Sequence, residues 1–218
     1  MTKEQILKII QEKFNSAIEV EVNDDIYNKC YTFAEAVTPT TKYGDCGQNN
    51  MDKRFIDNMI GKLAEFSVYG IIKNICEIEI APPDIIIYSG KKKSWKSDLV
   101  IKADDGDLNI AVKSQSMSQA VKYSFSGTFQ SASFRKDKVF ENTDELIFLC
   151  MVDDTITEYR KTLVMPPKQL KEITFADPKL LKFKGIKTCY YARDNFSTDN
   201  LTTWMTSFGI EKVANAIS

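Results

Sequence analysis

Histidine is absent from all 218 residues. That removes Ser-His-Asp and Cys-His relays, histidine-metal hydrolases and histidine-based nucleases, because each needs an imidazole to carry a proton or hold a metal. Any catalysis must rest on carboxylates, lysines and a hard cation. Cysteine is sparse: the five thiols, at 30, 46, 76, 150 and 189, form no CxxC pair and, without histidine, no standard zinc set. Their odd number and scatter read as reduced thiols, with Cys76, Cys150 and Cys189 as small core residues in apolar surroundings. No apolar run is long enough to span a membrane, and the opening MTKEQILKIIQEKF is an amphipathic helix rather than a signal peptide. These absences predict a soluble, cytoplasmic protein without a membrane partner. Charge imbalance is lacking too. The formal net charge is −1, so any site for a polyanion has to be a local patch.

What is present suffices for a core: 43% hydrophobic residues in a chain long enough for one large domain. The first third reads as helical, with segments over 3–14 and 24–37, a turn-rich loop over 38–50, and a long helix over 52–73. That last helix carries Phe55, Ile56, Met59, Ile60, Leu63 and Phe66 on one face. EIEIAPPDIIIYSGKKKSW breaks at its prolines and reads as a strand or extended arm. SDLVIKA and LNIAVKS flank DDGD, a strong hairpin signal. ELIFLCMV, over 145–152, is the continuous apolar run of a central strand. Further strands are expected in TITEYRKTLVM and GIKTCYYA, with a short helix in PPKQLKEI. A closing helix over 197–217 would be capped by Ser197 or Thr198, with Leu201, Trp204, Met205 and Phe208 on one stripe. The expectation is one α/β domain over 1–218: a helical subregion over 1–50, then a core with a mixed central sheet of about five strands flanked by helices.

The hairpin holds an oddity. On LNIAVKSQ, Ile110 and Val112 face one side, leaving Ala111 and Lys113 on a side that would ordinarily meet solvent. Asp98 opens the partner strand fifteen residues before Lys113, with the turn between them, so the two fall near the mouth of one strand pair. The preceding helix can bring Glu65 to the same end. Two carboxylates and a lysine around a small space suit Mg²⁺ and a phosphate. Each also has an ordinary reading. Lys113 is a solvated strand-end lysine, Asp98 a strand-opening residue, and Glu65 a helix carboxylate paired with Lys62.

Glu65, Asp98 and the triplet Ala111-Val112-Lys113 together resemble the pattern of the PD-(D/E)XK nuclease superfamily, which includes most type II restriction endonucleases. The likeness spans roughly 52–192, and its pattern is short and degenerate. It implies a restriction-endonuclease-like αβββαβ core. It also implies Mg²⁺ (or Mn²⁺) held by Asp98, the Val112 carbonyl and Glu65, with Lys113 at the reacting phosphate. The implied activity is site-specific hydrolysis of double-stranded DNA by a homodimer. Asp84, in PPD, is a rival for the catalytic aspartate. Position 111 departs from the pattern, because alanine stands where an acid belongs. That leaves open a relocated carboxylate, an inactivating substitution, a nuclease-fold DNA-binding protein without catalysis, or a structure-specific repair nuclease. DNA contacts are expected from Lys91, Lys92, Lys93 and Lys96 in GKKKSWK, from Ser114, Gln115, Gln119 and Lys122, and from Arg135, Lys136 and Lys138. Solvated loop and polar surface are the plain alternatives for these.

Overall fold

The computed structural model of the chain describes residues 1–40, 50–88, 97–133, 135–141, 145–154, 159–196 and 203. Helix α1 (Lys3–Lys13) starts at Thr2, whose hydroxyl accepts the Gln5 N–H while the Gln5 side chain accepts the Thr2 N–H. This reciprocal cap satisfies two amides that a helix start leaves without partners. Asn23 and Asn50 cap α2 (Asp24–Val37) and α3 (Met51–Gly70) through their side-chain oxygens. Helix α3 buries Met59, Ile60, Leu63, Ala64 and Phe66 at helical spacing and ends in a π-helical turn over Ile71–Ile75.

Strands β2 (Leu99–Ala103) and β3 (Gly106–Ser116) form the expected hairpin, in register from Leu99↔Ile110 to Ala103↔Gly106. Gly106 takes φ 114° to close the two-residue turn, a conformation that costs any side-chain-bearing residue dearly. Strand β6 (Leu146–Val152) is buried at every position and runs parallel to β3, from Ile110↔Leu146 to Ser116↔Val152. A parallel pair demands a crossover. It is supplied by α4 (Met117–Tyr123), β4 (Ser126–Ala132) and β5 (Arg135–Lys136). Strand β7 (Lys161–Val164) continues the sheet and pairs with β1 (Ile18–Glu21), so the N-terminal subregion contributes a strand as well as helices. The main sheet is ordered β1-β7-β6-β3-β2, with β8 (Lys168–Gln169) on the edge of β6. A smaller sheet, β5-β4-β9, includes β9 (Lys187–Tyr191), which leads into the turn-length α5 (Ala192–Asn195).

The architecture is mixed α/β, with a hydrophobic cluster on each face of β3. Ile110, and partly buried Val112, pack with Leu63, Phe66 and Phe148 on the helical side. Ala111 packs with Phe129, Val139, Ile147 and Tyr190 on the other. The small sheet and α4 therefore cover the face that would otherwise be solvated, which explains the methyl group at 111.

One expectation needs correcting. PPKQLKEI forms no α-helix: Lys168–Gln169 pairs with Leu146–Ile147, and only a 3-10 turn over Leu170–Glu172 remains. The segment is too short to nucleate a helix against that pairing. GIKTCYYA forms the expected strand, in the small sheet. Of the two readings of EIEIAPPDIIIYSGKKKSW, its described part over 77–88 is the arm: it forms no ladder, and Ile78 and Ile80 are buried. The closing helix over 197–217 lies outside the described residues except for Thr203, as do the loop over 41–49 and the lysines at 91, 92, 93 and 96. Cys30, Cys76, Cys150 and Cys189 are free and buried, and burial pushes the Cys30 thiol up to about 12.

Candidate active site

Asp98 sits one residue before β2, where extending the hairpin register by one pair sets it opposite Ala111. Its Oδ2 accepts the Val112 N–H at 2.7 Å, so the carboxylate takes the place of the next ladder bond and is fixed to β3. Burial pushes the Asp98 carboxyl above its ordinary range, against the opposing pull of Lys113, the Val112 amide and Lys62.

Glu65 lies on the inward face of α3 with its side chain 16% exposed. Its carboxyl is pushed up to about 8, by burial first and then by the charge on Asp98. Lys62, only 7% exposed, opposes the rise: its Nζ donates to Glu65 Oε2 at 2.5 Å and to the Asp84 carbonyl at 2.8 Å. Desolvation outweighs this ion pair, as it commonly does for buried pairs, so the carboxyl stays well above the usual carboxylate range. The Lys62 pairing expected as the plain reading and the electrical coupling to Asp98 are thus both present.

Lys113 points from β3 over the Phe129 ring, 4.6 Å from its centroid, and donates to Asp137 Oδ2 at 2.9 Å. Asp137 was not singled out in the sequence. It lies between β5 and the 3-10 turn Lys138–Glu141, anchored by its N–H on the Gln130 carbonyl at 2.9 Å. Glu145 was also missed. It stands immediately before β6, is 4% exposed, and accepts the Ser97 hydroxyl at 3.4 Å. Its carboxyl is pushed up to about 7, by burial first, with Asp137 and Asp98 adding to the rise and Ser97 and Lys113 opposing it. By register, Glu145 precedes by two residues the Ile147 that pairs with Ala111, so it shares that face. The sequence signal was an acid abutting seven buried residues, where an unpaired charge is costly.

The site as assembled is Asp98, Lys113, Asp137 and Glu145 about the mouth of β2 and β3, with Glu65 and Lys62 coupled from α3. Ala111 itself is 4% exposed within the apolar cluster. Val112 supplies its amide to Asp98. Asp84 is exposed, its two oxygens accept the Ile86 N–H at 2.8 Å and the Tyr88 hydroxyl at 2.6 Å, and its carbonyl accepts from Lys62. Gln115 is occupied, donating to the Ser124 carbonyl and accepting the Ser126 N–H. Ser114, Gln119 and Tyr123 line a cleft at the carboxyl end of β3. Lys122, Lys136 and Lys138 are exposed.

Among the described residues, no three histidine, cysteine or carboxylate side chains stand close enough together to chelate a metal ion. No described helix is long and apolar enough to cross a membrane. Comparison with known families, curated proteins and solved structures finds no match.

Proposed function

We propose that the protein is a divalent-cation-dependent nuclease that hydrolyses phosphodiester bonds of double-stranded DNA, with Asp98 and Lys113 at its centre. The supporting observation is the fixing of the Asp98 carboxylate on the Val112 amide, in the field of Lys113, with Glu65 and Glu145 coupled to it. The donor chemistry fits a hard cation. Asp98 has one oxygen beyond its bond to Val112, and Glu65 and Glu145 are carboxyls coupled to its charge, their proton affinity raised by burial first. Asp98, with one of Glu65 and Glu145 beside it, would hold Mg²⁺ or Mn²⁺, with the Val112 carbonyl and the substrate phosphate as further oxygens, since one or two carboxylates suffice for such an ion. When bound, such an ion acidifies water and neutralises charge at phosphorus. Lys113 would donate to the phosphate oxygens as negative charge builds on them, moving off Asp137 to do so. The buried surroundings strengthen that interaction by excluding water. A homodimer cutting both strands at a specific palindromic sequence, in the manner of type II restriction enzymes, is the finer form of this proposal.

A second reading, DNA binding without hydrolysis, is favoured by Ala111, whose methyl group cannot ligate a cation. Plasmid and phage DNA incubated with the protein and Mg²⁺ or Mn²⁺ separates the two. Discrete fragments support a site-specific nuclease, and a smear supports nonspecific cutting. Retarded but intact DNA selects the second reading.

A further inference from the structure

A cleft of about 260 Å³ opens at the carboxyl end of β3, bounded by α3, α4, β4, β9 and the segment over 178–183. Its walls combine three features that few ligands require at once. The first is aromatic surface: Tyr123 and Phe183 are half-buried, and among the described residues neither stacks on another ring, unlike the mutually packed Phe129, Phe140, Phe175 and Tyr190. The second is unspent hydrogen-bonding capacity. The Gln119 side-chain amide, half-buried at the wall, has no partner among the described residues, and only its backbone N–H is engaged, by Ser116. The third is positive charge at the cleft and beside it. Lys179 lines the cleft, 5.1 Å from the Tyr191 centroid; outside the lining, Lys122 stands 5.1 Å from the Tyr123 centroid, and Lys182 and Lys187 stand 4.9 and 4.6 Å from that of Phe183. Lys122, Lys179 and Lys182 meet no carboxylate among the described residues, whereas Lys53 on the opposite wall is neutralised by Asp57.

A simple anion has no use for the ring faces, and an apolar ligand has none for the lysines. A nucleotide uses all three: a π-face for the base, an amide for its polar edge, and ammonium groups for its phosphate. The volume lies just below the ~300–1,000 Å³ of sites for drug-sized ligands, which suits one nucleotide rather than a stretch of strand. We infer that this cleft binds a single unpaired nucleotide of a nucleic-acid strand, its base against Tyr123 or Phe183, its edge on Gln119 and its phosphate near Lys179. The inference rests on the nucleic-acid reading above and adds to it, because a base enters such a cleft only from single-stranded or locally unstacked substrate.

The test measures, in EDTA, the affinity of the full chain for a fluorescein-labelled single-stranded dodecamer, for wild type, Phe183→Ala and Gln119→Ala. Loss of base stacking at Phe183 is expected to weaken binding about ten-fold, and Gln119→Ala several-fold. Gln119→Ala is expected to melt at the wild-type temperature, so it decides the matter if Phe183→Ala is unstable. Unchanged single-strand affinity in a normally melting Gln119→Ala overturns the cleft inference, and leaves the nuclease reading standing if plasmid is still cut. Weakened single-strand binding alongside uncut plasmid supports the cleft and sinks the nuclease reading alone. Absence of all nucleic-acid binding overturns both.

Discussion

At the scale of single residues, position 111 and the carboxyls around it decide how the site behaves. Ala111 packs against apolar neighbours on the face that Glu145 shares, so Ala111→Glu would add a second buried acid there. Without metal, crowding is expected to cost about 1–3 kcal/mol. With Mg²⁺ the added oxygens gain a partner. The predicted result is a lower melting temperature in EDTA and a larger rise on adding Mg²⁺ than wild type shows; equal metal-induced shifts would mean position 111 does not face a cation site. The proton affinities give a second prediction. Glu65 and Glu145 bind protons more tightly folded than unfolded, at about 8 and about 7 against an ordinary 4.5. Between pH 4.5 and 8 the folded state therefore holds more protons, and stability falls as pH rises through that window. Glu65→Gln removes the larger share, so its stability in EDTA should vary less between pH 5 and 8 than that of wild type. Denaturant titrations across that range check the slope, and an unchanged slope would place Glu65 in a more solvated setting.

At the scale of elements, the small sheet depends on one close approach. A Cβ at Gly127 on β4 would lie 2.5 Å from the ring of Tyr190 on β9, and Tyr190 is fully buried and cannot swing away. Gly127→Ala is expected to cost about 1–3 kcal/mol, lowering the melting temperature by several degrees; an unshifted melting curve would mean that the two strands do not pack as described. This sheet was also the least legible part of the sequence. In SGTFQSA the buried positions Gly127 and Phe129 alternate correctly, but glycine and serine hide the period from a hydrophobicity reading. The hairpin and β6 were legible because their apolar residues are large and regularly placed, and because DDGD marks the turn. That Asp98, Lys113 and Glu65 fall near one another was legible through strand spacing and the position of the preceding helix. Asp137 and Glu145 were not, since only the crossover between β3 and β6 brings them to Lys113 and Asp98. No local rule encodes a contact that distant in sequence.

At the scale of the whole molecule, a net charge of −1 means that the proposed DNA partner would have to be held by local patches rather than by an overall field. Lys122, Lys136 and Lys138 are exposed and available for such contacts. Neutralising about four phosphates predicts a fall in duplex affinity of about 10²-fold between 50 and 200 mM salt. Fluorescence anisotropy measures this directly, and a flat response would count against a DNA partner. Asp98 carries the central claim, and Asp98→Asn tests it most directly. An asparagine Oδ1 can still accept the Val112 N–H, so the fold should persist, while the charge that would hold the cation is gone. The decisive measurement is the rate of supercoiled-plasmid cleavage in Mn²⁺ by wild type and by Asp98→Asn, at protein concentrations that bind the DNA equally. The account predicts cleavage by wild type and a loss of about 10²-fold or more in the variant. Equal cleavage by both proteins, or bound but uncut DNA with wild type, would contradict it.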